Sequence, residues 1–216
     1  MTNSKNSEAG ILEQYRIALE NVKNQSEIAA EMAELSYDAN KIAEGEQLLL
    51  QTRNAYNSNK KEDDETTIAS ATFKQEKETL DKQYKQHRKK SKAILRKNPE
   101  ALKKLEIHTR IPYGYVNWIE MIRTFYTNID QDILQQLALL KVTAEDIDTG
   151  KLQIEKVEKA RAEYIKEAGE SQDATQQKDL AFSKMDDWMR DFYAIATIAL
   201  EDKPQLMEVL GRKRKS

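Results

Sequence analysis

The sequence predicts an all-α fold built from two tandem copies of one helical unit. Three observations lead there: few turn-forming residues, apolar residues at helical spacing, and a chain that resembles itself when shifted by about 105 positions. Its 216 residues hold six Gly and three Pro, too few for the turns of an all-β chain, while helix-favouring Ala, Glu, Lys, Leu and Gln dominate. Hydrophobic residues make up 39% and charged residues 33%, the balance of long helices with wide solvated faces.

The self-match gives roughly 16 identities without a gap, more than twice what a chance register yields. They fall at structurally demanding places: Ile28 with Ile133, Leu35 with Leu140, Ile42 with Ile147, Gly45 with Gly150, Leu95 with Leu200 and Pro99 with Pro204. Gly and Pro are both rare in this chain, so their coincidence in one register weighs most.

Each copy reads as three long helices and a short one. The first helix spans 11–35, and in the second copy 115–140, where Ile122, Phe125, Ile129, Ile133, Leu137 and Leu140 stand three or four apart and make one stripe. The second helix opens after Asp38 or Thr143, both good N-caps, and Thr143 with Asp146 approximates a capping box. Gly45 and Gly150 fall on its inward stripe. A glycine there costs about 1 kcal/mol against alanine, so the position implies close approach of a neighbouring helix in a tight crossing.

Polar stretches at 60–67 and 167–172 are expected to turn the chain into a third helix. That helix follows Phe73, Leu80, Tyr84, His87 and Ile94 in one copy, and Phe182, Met185, Met189, Phe192 and Ala199 in the other. Pro99 and Pro204 then each begin a short helix, the position where proline is tolerated. The expected architecture is an elongated helical bundle of two antiparallel up-down units, with six long helices and two short ones. Its parts are a flexible N-terminus at 1–10, repeat units at 11–107 and 115–211, a linker at 108–114 marked by Pro112 and Gly114, and a basic tail at 212–216. Two separate bundles and one shared core both fit this pattern.

Chemistry is narrowed mainly by absence. Without cysteine there is no disulfide framework, thiolate metal site or cysteine nucleophile, as suits a reducing cytoplasm. His87 stands where the other copy has Phe192 and reads as a packed histidine; His108 lies by the linker. No Glu-x-x-His pair of the di-iron bundles occurs. Asp146, Asp148 and Gly150 resemble the opening of a calcium loop, but the glycine comes one position early and the twelfth-place glutamate is missing. No phosphate-cradling loop or nucleophile elbow is found. No catalytic, cofactor-binding or metal-ligating residue and no small-molecule substrate is therefore expected. No apolar run approaches the roughly 18 residues of a membrane span, and the polar start of the chain lacks the core of a signal peptide.

Two surface features stand out. Lys82, Lys85, Arg88, Lys89, Lys90, Lys92, Arg96, Lys97, Lys103 and Lys104 crowd one segment; Lys85, Arg88, Lys89, Lys92 and Arg96 are the candidate contacts for an anionic partner. Packing aside, Tyr113, Tyr115 and Trp118 at the linker are candidate anchors for a partner groove, since Tyr and Trp are favoured there.

The run 199–211, Ala-Leu-Glu-Asp-Lys-Pro-Gln-Leu-Met-Glu-Val-Leu-Gly, preceded by Trp188 and Phe192, resembles the ending of a group of small uncharacterised bacterial helical-bundle proteins. The resemblance covers the last quarter of the chain. It implies a bacterial helical bundle and carries no activity or ligand. Together these readings describe a cytoplasmic, non-enzymatic structural or protein-protein interaction module that binds another protein or itself. Binding of nucleic acid or another polyanion through the basic helix 82–104 is the alternative, and a membrane-active helical protein a third.

Overall fold

The computed structural model describes residues 7–211, and among these it holds eight helices and no strand. In chain order they are α1 (Glu8–Asn24), α2 (Ser26–Glu34), α3 (Ala39–Ile94), α4 (Pro99–Lys104), α5 (Tyr115–Thr127), α6 (Gln131–Ala138), α7 (Ala144–Ala199) and α8 (Leu206–Val209). No helix among the described residues is long and apolar enough to cross a membrane. The tail at 212–216 lies outside the described residues, as do the first six residues; Ser7 caps α1, so Glu8, Ala9 and Gly10 are helical rather than part of a flexible end.

The expected count of six long helices is wrong in two ways. The helices expected second and third in each half of the chain are one continuous helix of 56 residues, α3 and α7, whose starts lie 105 positions apart. The stretch 60–67 is polar but contains neither Pro nor Gly, and polarity alone supplies no left-handed cap or missing N–H to end a helix. Gly169 interrupts the other stretch at a cost of only about 1 kcal/mol. Conversely, the first helix of each copy is broken. Gln25 leaves the helical region (φ −104°, ψ 97°) between α1 and α2. Between α5 and α6, the Asp130 carboxylate accepts the Ile133 N–H at 2.8 Å and opens a new helix.

By contact, the chain divides into two compact units that do not follow the sequence copies. The first unit comprises residues up to Asp63 and from Glu170 onward, and the second Asp64–Gly169. Each therefore draws on both halves of the sequence. In the first unit the core gathers Leu19, Val22, Ile28 and Met32 of α1 and α2 against Trp188, Met189, Phe192 and Ala196 of α7. In the second, Leu80 and Tyr84 of α3 meet Ile119, Ile122 and Phe125 of α5, Ile133 and Leu137 of α6, and Ile154 and Val157 of α7.

Within each unit α3 and α7 run antiparallel, and polar contacts fix their register. In the first unit Thr52 Oγ1 reaches the Ala181 carbonyl (3.2 Å) and Asn59 Nδ2 donates to Thr175 Oγ1 (3.0 Å). In the second, Thr66 Oγ1 donates to the Glu167 carbonyl (2.9 Å) and Gln153 Nε2 to the Glu76 carbonyl (3.2 Å). Buried polar positions in a helical seam are well suited to specifying register.

Helix ends use the same device three times without glycine. After α2, α4 and α6 the residues Ser36, Glu106 and Lys141 take φ of 68°, 53° and 56°. The next N–H in each case closes back onto the helix: Tyr37 to Met32, Ile107 to Leu102 and Val142 to Leu137. This is the Schellman closure, usually made by glycine; Gly211 takes the same left-handed conformation, at φ 77°.

Gly45 and Gly150 are buried under aromatic rings. A Cβ at Gly45 would overlap the Trp188 indole, and one at Gly150 the Tyr126 ring. The close approach is made by an aromatic ring lying on the helix backbone, not by the tight helix crossing that the spacing implies. Gly45→Ala and Gly150→Ala should each destabilise by about 1–3 kcal/mol through overpacking, despite alanine's better helix propensity. Urea unfolding of the two variants checks this: stabilisation of either would mean that its ring moves aside freely.

Candidate interaction surface

The basic segment of the second unit is not uniformly free. Lys85, Lys89 and Lys92 follow one another by four and three positions along α3, with Arg96 beyond the helix end, so they line one side of it. All four are exposed, as are Lys82, Lys97 and Lys103. Lys85 Nζ is 2.6 Å from Asp81, and Lys104 is held by Asp130 at 2.5 Å. Lys90 is half-buried and donates to the Lys141 carbonyl at 3.2 Å, at the left-handed turn after α6.

Arg88 is the exception among the five candidate contacts. Its Nη2 donates to the carbonyl of Ile107 at 3.1 Å and to that of Thr109. Those carbonyls follow α4, where the chain has ended a helix and has no regular partner for them. Arg88 therefore fastens the start of the linker to α3. Although Lys92 is exposed, partial desolvation by its neighbours, with the Arg88 guanidinium close by, pushes its ammonium pKa below the ordinary value.

The linker aromatics separate into two roles. Tyr113 is 83% exposed, with the Arg110 guanidinium 4.8 Å from its ring centre. Tyr115 is instead packed: its ring lies against Phe73 (5.8 Å between centres), and the Arg161 guanidinium sits 4.0 Å above it. Trp118 is buried, donates its indole N–H to Asp81 at 3.2 Å, and carries the Lys77 ammonium 5.3 Å from its ring.

Basic and aromatic features meet in one groove of about 430 Å³, lined by Lys74, Lys77, Glu78, Asp81 and Lys85 of α3 and by Ile111, Pro112, Tyr113 and Trp118. Of the sequence candidates it brings together Lys85, Tyr113 and Trp118. Arg88, Lys89, Lys92, Arg96 and Tyr115 do not line it. Lys74 and Lys77 escaped the sequence reading, although they stand eleven and eight positions before Lys85, on the same broad side of a helix. Glu76, Glu78 and Asp81 separate them from the dense basic run that begins at Lys82. Val116, beside the linker, is 65% exposed. The groove combines the apolar surface of Ile111, Pro112 and Trp118 with three ammonium groups and the carboxylates of Glu78 and Asp81.

His87 is buried, with Nδ1 3.1 Å from the Tyr126 hydroxyl. Burial lowers its pKa from the ordinary value, partly offset by Asp146. It is the packed histidine that the sequence implies; His108 is exposed.

Compared with known proteins, the chain matches no family model, no curated protein and no solved structure.

Two outcomes follow from this geometry. Arg88→Met should destabilise the protein by about 1–3 kcal/mol, because the carbonyl of the buried Ile107 loses its donor, while Lys89→Met should stay within about 0.5 kcal/mol; equal effects in urea unfolding would deny Arg88 its fastening role. For His87, the folded state binds a proton less readily than the unfolded chain. Stability should therefore be lost as pH falls through the unfolded value of about 6.5. Between about pH 7.5 and 5, the wild type should lose more stability than His87→Gln does, and parallel losses would exclude His87 as the source.

Proposed function

We propose that this chain is a tandem duplication acting as a non-enzymatic protein-protein interaction module, with the linker groove of the second unit as its partner site. The observation that carries the reading is the meeting of an 83% exposed tyrosine, an indole edge and an ammonium rim in one concavity. An aromatic side chain held this far into water contributes little to packing, and Tyr and Trp are the side chains that most often anchor protein partners. The duplication is supported by the ungapped self-match, by two 56-residue helices that start 105 positions apart, and by left-handed caps at Ser36 and Lys141 and at Glu106 and Gly211, each pair in that register. The lack of cysteine and the resemblance of the C-terminal quarter to bacterial helical proteins suit a bacterial cytoplasm.

A second reading, binding of nucleic acid or another polyanion, is favoured by the exposed Lys82, Lys85, Lys89, Lys92, Arg96, Lys97 and Lys103. It ranks lower because Glu78 and Asp81 interrupt the basic side and because the whole chain carries a net charge of −2.

Affinity capture from the native host separates the two. Tyr113→Ala leaves an exposed site, so the melting temperature should not change, yet retention of the partner should fall at least tenfold, the loss expected for an aromatic anchor worth about 1.4 kcal/mol or more. Unchanged retention removes the groove as the partner site. Salt-sensitive binding of DNA or RNA, abolished by reversing Lys89, Lys92 and Arg96 and indifferent to Tyr113→Ala, would establish the polyanion reading instead.

A further inference from the structure

Corresponding surfaces of the two units carry opposite charge. Residues 74–104 of the second unit hold twelve basic and four acidic side chains, whereas the corresponding residues 179–209 of the first hold three basic and seven acidic. The inversion is positional as well as summed. Lys74 corresponds to Asp179, Lys82 to Asp187, Arg96 to Glu201, Lys97 to Asp202 and Lys103 to Glu208, and all ten side chains are exposed. No acidic residue of 74–104 corresponds to a basic one of 179–209. Both segments have the same construction, the second half of a 56-residue helix, a turn reaching a proline and a short helix.

We infer that the basic face of the second unit docks on the acidic face of the first unit in another copy of this chain. This rests on the reading of the protein as an interaction module and names one partner for it. Because the two faces share a backbone plan, cations spaced along one helix meet anions spaced along a helix of the same kind. Charge supplies approach and orientation rather than most of the affinity, since an exposed ion pair contributes only about 0–1 kcal/mol. Apolar contact is available on both faces. On α7, Leu180, Asp187, Asp191 and Ile198 follow at intervals of seven, four and seven, which puts two anions between two apolar side chains that are 58% and 60% exposed. On the second unit, Tyr113 and Val116 offer exposed apolar surface beside the basic side. The contact joins unlike surfaces, so it either repeats from copy to copy or closes into a ring or reciprocal pair.

Sedimentation velocity on the full chain tests this. At about 20 mM salt the apparent mass should rise with protein concentration above the monomer, and at about 500 mM it should return to the monomer as screening shortens the reach of the charges. Lys82→Glu, Arg96→Glu and Lys97→Glu combined should abolish the low-salt association, and so should Asp187→Lys, Glu201→Lys and Asp202→Lys combined, with circular dichroism showing both proteins folded. Mixing the two variants should restore association, because each then presents the charge that the other lacks. A wild type that stays monomeric at low salt overturns the inference, as does association that survives both reversals or a mixture that fails to associate. A monomer that still captures a foreign partner through Tyr113 overturns only this inference and leaves the interaction module standing.

Discussion

Everything in this structure depends on α3 and α7 not turning back. In α3 an unbroken stripe at every seventh residue runs through Gly45, Thr52, Asn59, Thr66, Phe73, Leu80, His87 and Ile94, all of them buried or half-buried. A seven-residue stripe keeps one side of a helix facing a partner along its whole length. Polar residues at Thr52, Asn59 and Thr66 continue that stripe without supplying a break, and their side chains bond to α7 within their respective units. Once α3 is continuous, its two halves belong to different compact units. Each unit then closes its core from both halves of the sequence, with one part of α3 and one part of α7 in each.

The same constraint explains what could be read in the sequence. All-α character, the inward glycines, the packed His87 and the proline-started α4 were legible because each rests on a local rule about backbone or burial. The turns expected at 60–67 and 167–172 do not form, because the first stretch looks like a loop by composition yet holds no Pro or Gly to end a helix, and Gly169 in the second costs a helix only about 1 kcal/mol. The stripe would have revealed this, since Thr52, Asn59 and Thr66 keep the spacing of the apolar positions on either side. Breaks near Gln25 and Asn128 were illegible for the opposite reason: the apolar periodicity persists across them, and only Asp130 as an N-cap signals the second.

At the candidate surface the sequence identified residue types and missed their division of labour. Five basic residues looked equivalent in one dimension. In three, Arg88 falls where the carbonyls after α4 need donors, and a guanidinium reaching two of them becomes part of the scaffold. Tyr113 and Tyr115 stand two residues apart on opposite sides of a helix start, and only Tyr115 meets Phe73 and Arg161. Sequence spacing places a side chain on a face; what covers that face is settled by tertiary packing.

Packing and surface answer to different physics, and here they have parted company. A ring over Gly45 or Gly150 leaves no room for even one methyl group, so such positions tolerate little change. Exposed helix positions between them accept Lys or Asp with nearly equal ease, because substitutions there shift stability by only about 0.5 kcal/mol. Two segments built on one helical plan can therefore carry opposite charges without cost to the fold, and residues 74–104 and 179–209 do so.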